Sequence, residues 1–414
     1  MRRRSWIRLS WSRKRTECSS CGGRWCPVIT RSRTFAVSWS GCPVSDATAT
    51  RGAATKMSEM SAVERIFITG TGLVTSVGHD SIMTPAAIRA GISRSAEIPE
   101  FATKKGAKAV GSLVSGITDE RSGSDRLLSM AIPAMQEALF NAEEYYEELD
   151  LSQGKLVLSL GPPERPAYEE FDNEDLQTLL EMTEGEELPT AEIIREGSSG
   201  GVLALLRAVT LLREGKAAFC IVGGVDSLIE TPALMWLEAA GRLKTDDRPT
   251  GCIPGEAAAF LVLELESAAR KRDANVLCEL VNTAYAMEEG SILSDKPLFG
   301  KGLTSAIGAV LSKRRIGTDR IDGIICDLNG EHYRMKEWGL VQARLFNGAE
   351  PVPELWHPAE NIGDVGAASA VVFAVIAASS IRGGYFKGPN LLLWTSSDTG
   401  GRGSALLSAA QNRK

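Results

Sequence analysis

A chain of 414 residues with 43% hydrophobic and 24% charged residues is long enough for one large or two ordinary domains and has a soluble, globular composition. Its net charge of −6 is uneven, because residues 1–56 hold 12 basic residues against 2 acidic ones and the remainder therefore carries about −16. An acidic body argues against nucleic-acid binding, and no apolar run reaches the roughly 20 residues of a membrane span.

The basic segment 1–56 lacks apolar periodicity and admits three interpretations. It is rich in Arg and Ser, as targeting peptides are. Its cysteines offer a zinc site, although Cys18-x-x-Cys21-x4-Cys26 with Cys42 lacks the second CxxC or His pair of a strong motif. The favoured interpretation is untranslated sequence upstream of the natural start. A non-globular extension is therefore expected here.

From Arg65 onward, strand-like apolar runs alternate with periodic helix-like runs, which is typical of an α/β fold. The first half predicts a strand at Arg65–Thr69 ended by glycines, a helix at Asp125–Asn141, a strand at Lys155–Leu160, a helix at Ser198–Glu214 and strands at Ala217–Gly223 and Gly255–Leu265. The second half predicts a strand at Asn275–Met287, a helix at Gly302–Arg315, a strand at Asp322–Leu328, a helix at Asp364–Ile381 and a strand at Asn390–Ser397. The acidic stretches 140–152 and 163–193 are expected to be solvated surface excursions.

One local pattern occurs twice. Gly197-Ser-Ser-Gly200 leads into a long apolar helix and then a strand, and Gly363-Asp-Val-Gly366 does the same. A repeated unit of this kind indicates two similar halves, which we delimit as 57–268 and 269–414. The most apolar run, Val365–Ile381, is interpreted as a buried core helix.

Other motifs suggest chemistry only weakly. Gly70-Thr-Gly72 follows a strand, but the third glycine of a dinucleotide fingerprint would fall on Thr75, so a loop is favoured. Asp398-Thr-Gly400 lacks the second carboxylate triplet of an aspartic protease. No cofactor or metal is expected.

The cysteines and histidines of the body give two further expectations. The cysteines lie in apolar contexts, which favours reduced core thiols and a cytoplasmic location; they are Cys220, Cys252, Cys278 and Cys326. Among the three histidines, His79 and His357 suit surface positions. His332 follows a predicted strand end, where functional residues of α/β folds collect.

Three segments match the motifs of one known family. Glu64–Gly78 (ERIFITGTGLVTSVG) resembles the opening strand and turn of β-ketoacyl-acyl-carrier-protein synthases, which reads like VVITGLGVVSPLG. Gly197–Gly201, its helix and Ile221-Val-Gly-Gly224 resemble the nucleophile turn and the following strand. Thr395–Gly401 is similar to the family's NSFGFGG loop. The resemblance spans roughly residues 62–412 and implies a thiolase-like five-layer αβαβα fold of two similar halves.

The departures from the family lie at its reacting groups. The resemblance places Ser198 at the catalytic Cys, Asn329 at the first catalytic His and Gly363 at the second. Ser397 and Thr399 stand where the family has Phe. Condensation by the family uses a thiolate at a helix N-terminus supported by two imidazoles. The resemblance therefore implies a kept scaffold that has lost condensing activity.

Several polar residues are still expected to converge on this pocket: Ser198, Asn329, Glu331, His332, Asp364 and Asp398. The main hypothesis is a non-catalytic protein that binds an acyl chain, an acyl carrier protein or another protein complex. The alternative is an active acyltransferase or thioester hydrolase in which Ser198 is the nucleophile and His332 or Asp364 the base. The resemblance also implies a homodimer formed through the strand at Ala217–Val222. Neither a nucleic-acid nor a membrane partner is expected.

Overall fold

The computed structural model describes residues 64–143, 149–165, 171–181, 190–312, 317–350 and 352–410. The strands in these ranges are β1 Ile66–Thr75, β2 Ala96–Ala102, β3 Lys108–Gly111, β4 Gly154–Ser159, β5 Thr190–Ile194, β6 Phe219–Ser227, β7 Glu256–Leu265, β8 Cys278–Met287, β9 Gly323–Cys326, β10 Glu354–Trp356, β11 Leu391–Ser396 and β12 Gly401–Ser408. The α-helices are α1 Met83–Arg89, α2 Gly123–Glu143, α3 Asn173–Glu181, α4 Gly200–Arg213, α5 Thr231–Ala239, α6 Glu266–Lys271, α7 Lys301–Ser312, α8 His332–Leu345, α9 Ala359–Ile362 and α10 Ser369–Gly383. The three interpretations of residues 1–56 lie outside the described residues.

The main sheet shows the predicted duplication. Its order is β10-β9-β11-β12-β8-β1-β7-β6-β4-β5. The first half contributes β1, β4, β5, β6 and β7 to this sheet, and the second half contributes β8 to β12. Read from the outer edge inward, each half has its third, second, fourth, fifth and first strand in that order. In both halves the fifth strand is antiparallel to its neighbours. The halves are joined where Ile66–Ile68 of β1 pairs with Cys278–Leu280 of β8.

Helices α4 and α10 form the middle of the molecule. Both contact strands of both halves and each other, whereas α2 covers the first half from outside and α7 covers the second. The result is the predicted order of five layers. By length and composition, Gly366–Gly383 is apolar enough to cross a membrane, yet 78% of it is buried inside the protein. This burial confirms the prediction of a core helix at Val365–Ile381.

Each middle helix follows a 3-10 turn, and the turns correct our alignment of the halves. The turns are Gly197–Ser199 before α4 and Gly366–Ala368 before α10. Both begin with a glycine at positive φ, 59° and 51°. Gly197 therefore corresponds to Gly366 and not to Gly363, which is a shift of three residues.

Strand β1 continues through the glycines that were expected to end it. A Cβ at Gly72 would lie only 1.8 Å from the Ala134 carbonyl oxygen of α2. Glycine is needed here because the helix backbone packs directly on the strand. The predicted loop is wrong, and Gly70-Thr-Gly72 serves close packing.

Two further expectations are corrected by the topology. Ala217–Val222 overlaps β6, which lies between β4 and β7, so this strand is not an edge and cannot pair with a second subunit. The edges of the described sheet are β5 and β10. The stretch 163–193 is not only solvated surface, because it contributes α3, most of β5 and the buried core residues Phe171 and Leu179.

The four cysteines of the described body are free and buried, as expected. Burial raises the pKa of the Cys220 thiol to about 12 and that of Cys252 well above its ordinary value. These thiols are therefore protonated packing groups and not nucleophiles.

Candidate functional site

Ser198 lies in the turn that precedes α4, in the middle layer. The neighbouring Ser199 binds the loop between β11 and β12: its backbone N–H and hydroxyl lie 2.9 Å and 2.6 Å from the Ser397 hydroxyl oxygen. The Ser198 side chain is 7% exposed and borders a small cavity. Among the described residues, no side chain is hydrogen bonded to its hydroxyl.

This Ser198 cavity has a volume of about 110 Å³. For comparison, an engineered apolar cavity of about 150 Å³ binds benzene, so the space is small. Its lining is a mixture of apolar, hydroxyl and charged groups: Pro162, Glu164, Arg165, Gly197, Ser198, Asp226, Leu228, Trp236, Leu237, Arg242, Leu293, Arg334, Asp364, Gly366, Ser397, Asp398 and Thr399.

Arg242 organises the charges on one side of the Ser198 cavity. Its guanidinium donates to Glu331 at 2.6 and 3.0 Å and to Asp398 at 2.7 and 3.1 Å. Arg334 lies 3.6 Å from both of these carboxylates. Two arginines and two carboxylates therefore neutralise one another in a nearly dry environment.

A second ion pair lies closer to α10. Arg165 donates to both oxygens of Asp226, with one contact of 3.0 Å. Asp226 in turn accepts the backbone N–H of Ala367 at 2.8 Å. The carboxylate thus lies at the N-terminus of α10, where negative charge is favoured by the helix dipole.

The ion pairs change the acidity of the carboxyl groups in this cluster. Burial alone would raise the pKa of Glu331 and Asp398, but Arg242 outweighs it and holds both pKa values below their ordinary range. Asp327 behaves differently, because burial raises its pKa to about 7 against the partial offset of Arg334. Its Oδ2 accepts hydrogen bonds from Arg334 and from the Ser396 N–H, both at 2.6 Å, whereas its Oδ1 has no hydrogen-bond partner among the described residues.

The structure brings together three of the four predicted catalytic residues. Ser198 and Asp364 line the same cavity. Asn329 donates to Asp364 at 2.7 Å and to Glu331 at 2.9 Å. His332 is the first residue of α8, is exposed and does not line this cavity.

All three histidines of the chain lie in the described ranges, and none lines the Ser198 cavity. His79 is exposed. His357 lines a separate cavity of about 530 Å³ and lies 3.0 Å from Glu360. No imidazole is therefore available beside Ser198.

Sequence reasoning missed the arginines of the cluster. Arg334 lies one helical turn after Glu331 at the start of α8, and that spacing is a usable signal for an ion pair. Arg165 and Arg242 lie in irregular segments, and their partners are 61 and 89 residues away. No local pattern predicts such contacts.

Comparison with known proteins shows a similarity to one family over part of the chain. Residues 196–269, which run from the Ser198 turn through β7, match the family described as beta-ketoacyl synthase, N-terminal domain. The tetracenomycin polyketide synthase ketoacyl synthase beta subunit of Streptomyces glaucescens is 28% identical over 200 residues, 44% of this chain and 46% of the relative. The chain spans less than half of the length of the curated relatives it matches, 42% and 46% of the first two.

Solved structures are similar to this protein over a larger part of the chain. A type II polyketide ketosynthase, solved with its acyl-carrier protein and bound to the hexaketide, superposes with a TM-score of 0.71 at 16% identity and covers 84% of this chain. The ishigamide ketosynthase/chain length factor gives the same three values. In both cases all of the compared chain is covered. This chain therefore has the thiolase-like fold of these ketosynthases, and its residues 196–269 are similar to the N-terminal domain of beta-ketoacyl synthases.

The position that the resemblance gives to the second catalytic His has no space for a side chain. Gly363 has a φ of 73°, and a Cβ there would lie 2.8 Å from the Pro254 carbonyl oxygen and 2.9 Å from that of Ile253. Its neighbour Asp364 instead carries the side chain that lines the Ser198 cavity. Restoring an imidazole at Gly363 would require the backbone to move.

Proposed function

We propose that this protein is a β-ketoacyl synthase-like subunit that does not catalyse condensation and acts by binding an acyl carrier protein or another protein. The observation that carries the proposal is the Ser198 cavity, which holds arginine–carboxylate pairs and no histidine. Condensation requires a thiolate-grade nucleophile and groups that stabilise the developing enolate. Ser198 has no base hydrogen bonded to it among the described residues.

The comparisons support the kind of partner proposed. One solved neighbour is a ketosynthase in complex with an acyl-carrier protein, and another is a ketosynthase/chain length factor. These partners belong to those proteins. We propose a partner of the same class for this chain because the fold that it shares with them covers most of its described residues.

Condensation and binding can be tested separately. We expect no product from malonyl- and acyl-carrier thioesters with the natural chain, and none with Ser198→Cys, because the thiol would lack an imidazole. Calorimetric titration with an acyl carrier protein should nevertheless give saturable binding that is equal in the two proteins. Condensation by either protein would refute the loss of activity. A flat titration would favour a different protein partner.

A second candidate function is a Ser198-dependent acyltransferase or thioester hydrolase. The observation in its favour is that Ser198 and the carboxylate of Asp364 border the same cavity. Both Asp364 oxygens already accept hydrogen bonds, from Asn329 and from the Gly366 N–H. Acyl-thioester hydrolysis by the natural chain that Ser198→Ala abolishes would establish this function, and equal inertness of both proteins would exclude it.

We further propose that the chain forms a homodimer, now through β5. This strand is an edge of the described sheet, and its residues Ile193 and Ile194 are half-buried. An unpaired apolar edge invites pairing with a second chain. Light scattering at micromolar concentration should give twice the mass of the chain, and Ile193→Lys should shift it toward the monomer. A monomeric natural chain would refute the proposal.

The proposed division at residue 57 also has a direct test. A chain that starts at Met57 should have a Tm within about 1 °C of that of the full chain. For a large domain, a change of 1 kcal/mol in the free energy of unfolding shifts Tm by about 2–4 °C, so the difference in free energy is expected to be smaller than this. Calorimetric scans of the two chains measure this. A loss of several degrees would show that residues 1–56 contribute to the stability of the body.

A further inference from the structure

A second cavity, here called the His357 cavity, is separate from the Ser198 cavity. Its volume of about 530 Å³ lies within the range of about 300–1,000 Å³ that is typical of small-molecule sites. The two cavities share no lining residue. Asn329 lines the His357 cavity and donates a hydrogen bond at 2.7 Å to Asp364, which lines the Ser198 cavity. A hydrogen-bonded partition therefore divides the two spaces.

Part of the wall of the His357 cavity is apolar. The side chains that form this part come from α8, from β10 and from the segments after β9 and before β7: Met335, Trp338, Leu355, Leu328 and Ile253. Met335 is 52% exposed. An exposed apolar side chain beside a cavity favours a ligand with an apolar body, because binding removes this surface from water.

Trp338 also brings a polar group that the protein leaves unpaired. The residue is only 4% exposed, and its indole Nε1 has no hydrogen-bond partner among the described residues. The ring is held between Trp394 and Phe346, with centroid distances of 5.3 Å and 5.7 Å. A buried donor without an acceptor destabilises the folded protein. A hydrogen-bond acceptor on a bound molecule would remove this penalty.

Lys244 supplies a positive charge to the same cavity. Its backbone N–H donates to the Cys252 carbonyl oxygen at 2.9 Å, which fixes the base of the side chain. The side chain is exposed and makes no ion pair among the described residues. The carboxylate of Glu360, which also lines the cavity, lies 3.0 Å from Nδ1 of His357. Lys244 is therefore the charged lining group that is available to an anion.

We propose that the His357 cavity binds a small carboxylic acid as its anion. The carboxylate accepts hydrogen bonds from Lys244 and from the Trp338 indole N–H, and the apolar body of the ligand packs against Met335 and Leu355. The body can be aliphatic or aromatic, since both kinds of side chain line the cavity. The inference goes beyond the proposed function and does not rest on it, because no residue that lines the Ser198 cavity takes part.

Two acids and their amides test the class of ligand. Calorimetric titration of the full chain uses octanoate and 3-phenylpropionate, each compared with its uncharged amide. We expect one molecule of at least one acid to bind per chain at millimolar concentration or below. Its amide should bind about tenfold more weakly, because a hydrogen bond to a charged group is stronger than one between neutral groups. The proposal is overturned if neither acid binds, or if acid and amide bind equally well.

Lys244→Gln tests the positive charge. The acid should bind about threefold to fivefold more weakly, since the ammonium group is exposed, and the amide should bind as it does to the natural chain. Lys336→Gln is the matched control, because Lys336 is an exposed residue of α8 that does not line the cavity. Equal weakening of acid binding by the two changes would mean that only the overall charge matters, and this would overturn the site.

Trp338→Phe tests the buried donor, because it removes the indole N–H and keeps an aromatic ring. Trp394→Phe is the matched control. Trp394 stacks on Trp338 and its Nε1 is also buried without a partner, but it does not line the cavity. Urea unfolding confirms that both variants are folded before titration. We expect the acid to bind at least about fivefold more weakly to Trp338→Phe than to Trp394→Phe. Equal affinities would overturn the assignment of the Trp338 N–H, and if Trp338→Phe does not fold, the two lysine variants decide the proposal.

Discussion

The two turns of the middle layer, Gly197–Ser199 and Gly366–Ala368, have the same 3-10 conformation but are anchored by different kinds of side chain. Each is held by a residue at the end of the fourth strand of the other half. Ser397 follows β11 and binds Ser199, while Asp226 of β6 binds the Ala367 N–H. Each half therefore holds the turn that precedes the middle helix of the other half.

The two anchors differ in charge. Asp226 is a fully buried carboxylate that Arg165 neutralises, and it closes the turn at Ala367. Ser397 is a neutral hydroxyl, and it leaves Ser198 beside a cavity. Both turns border the Ser198 cavity, because Asp226 and Gly366 also line it, but a buried ion pair anchors one turn and neutral hydroxyl groups anchor the other. Three changes test this comparison.

The largest effect is expected from Asp226→Ala. The change removes the buried carboxylate that Arg165 binds and the acceptor of the Ala367 N–H. Breaking a buried ion pair from one side typically costs about 3–5 kcal/mol. Urea unfolding should show a loss of this size. A loss below about 1 kcal/mol would mean that the second turn does not depend on its anchor.

Ser397→Ala is the equivalent change at the other turn and should cost less. It removes a neutral acceptor and leaves the buried Ser199 N–H without its partner, which costs about 1–3 kcal/mol. The same urea titration measures it. If this variant is destabilised as much as Asp226→Ala, the charge of the anchor is irrelevant and the two turns are energetically alike.

Much of this architecture could be predicted from sequence, because the repeated units are local. The composition of the apolar helix after Gly197 and of the one that ends at Gly383 predicts both helices, and each is followed by an apolar strand. The sequence alignment of the two halves was wrong by three residues, because glycine spacing alone did not distinguish Gly363 from Gly366. Strand β12, Gly401–Ser408, was missed because its first residues are small and polar although the strand is buried in the sheet.

The candidate site could be predicted only in part, for a related reason. Ser198 and Asp364 were found through motifs that keep their glycines. Arg242 could not be found, since it lies in an irregular segment and its partners Glu331 and Asp398 come from distant parts of the chain. Ion pairs between remote segments follow from the packed fold and leave no periodic trace in the sequence.

The smallest effect concerns Asp327, behind the Ser198 cavity. Its pKa is about 7 in the folded protein, against about 3.9 in an unfolded chain, so the folded state binds this proton more tightly. Stability from this group is therefore fully present below about pH 4 and is lost as the pH rises through 7. Glu331 and Asp398 have lowered pKa values, so their contribution is lost only at more acidic pH. Asp327→Asn cannot titrate and should remove the dependence. Urea unfolding at pH 6 and pH 8 should show that the natural chain gains about 1 kcal/mol more than Asp327→Asn on acidification. Parallel behaviour of the two proteins would mean that Asp327 stays ionised beside Arg334, and that the cluster around the Ser198 turn is a set of permanent charges like the Arg165–Asp226 pair at the other turn.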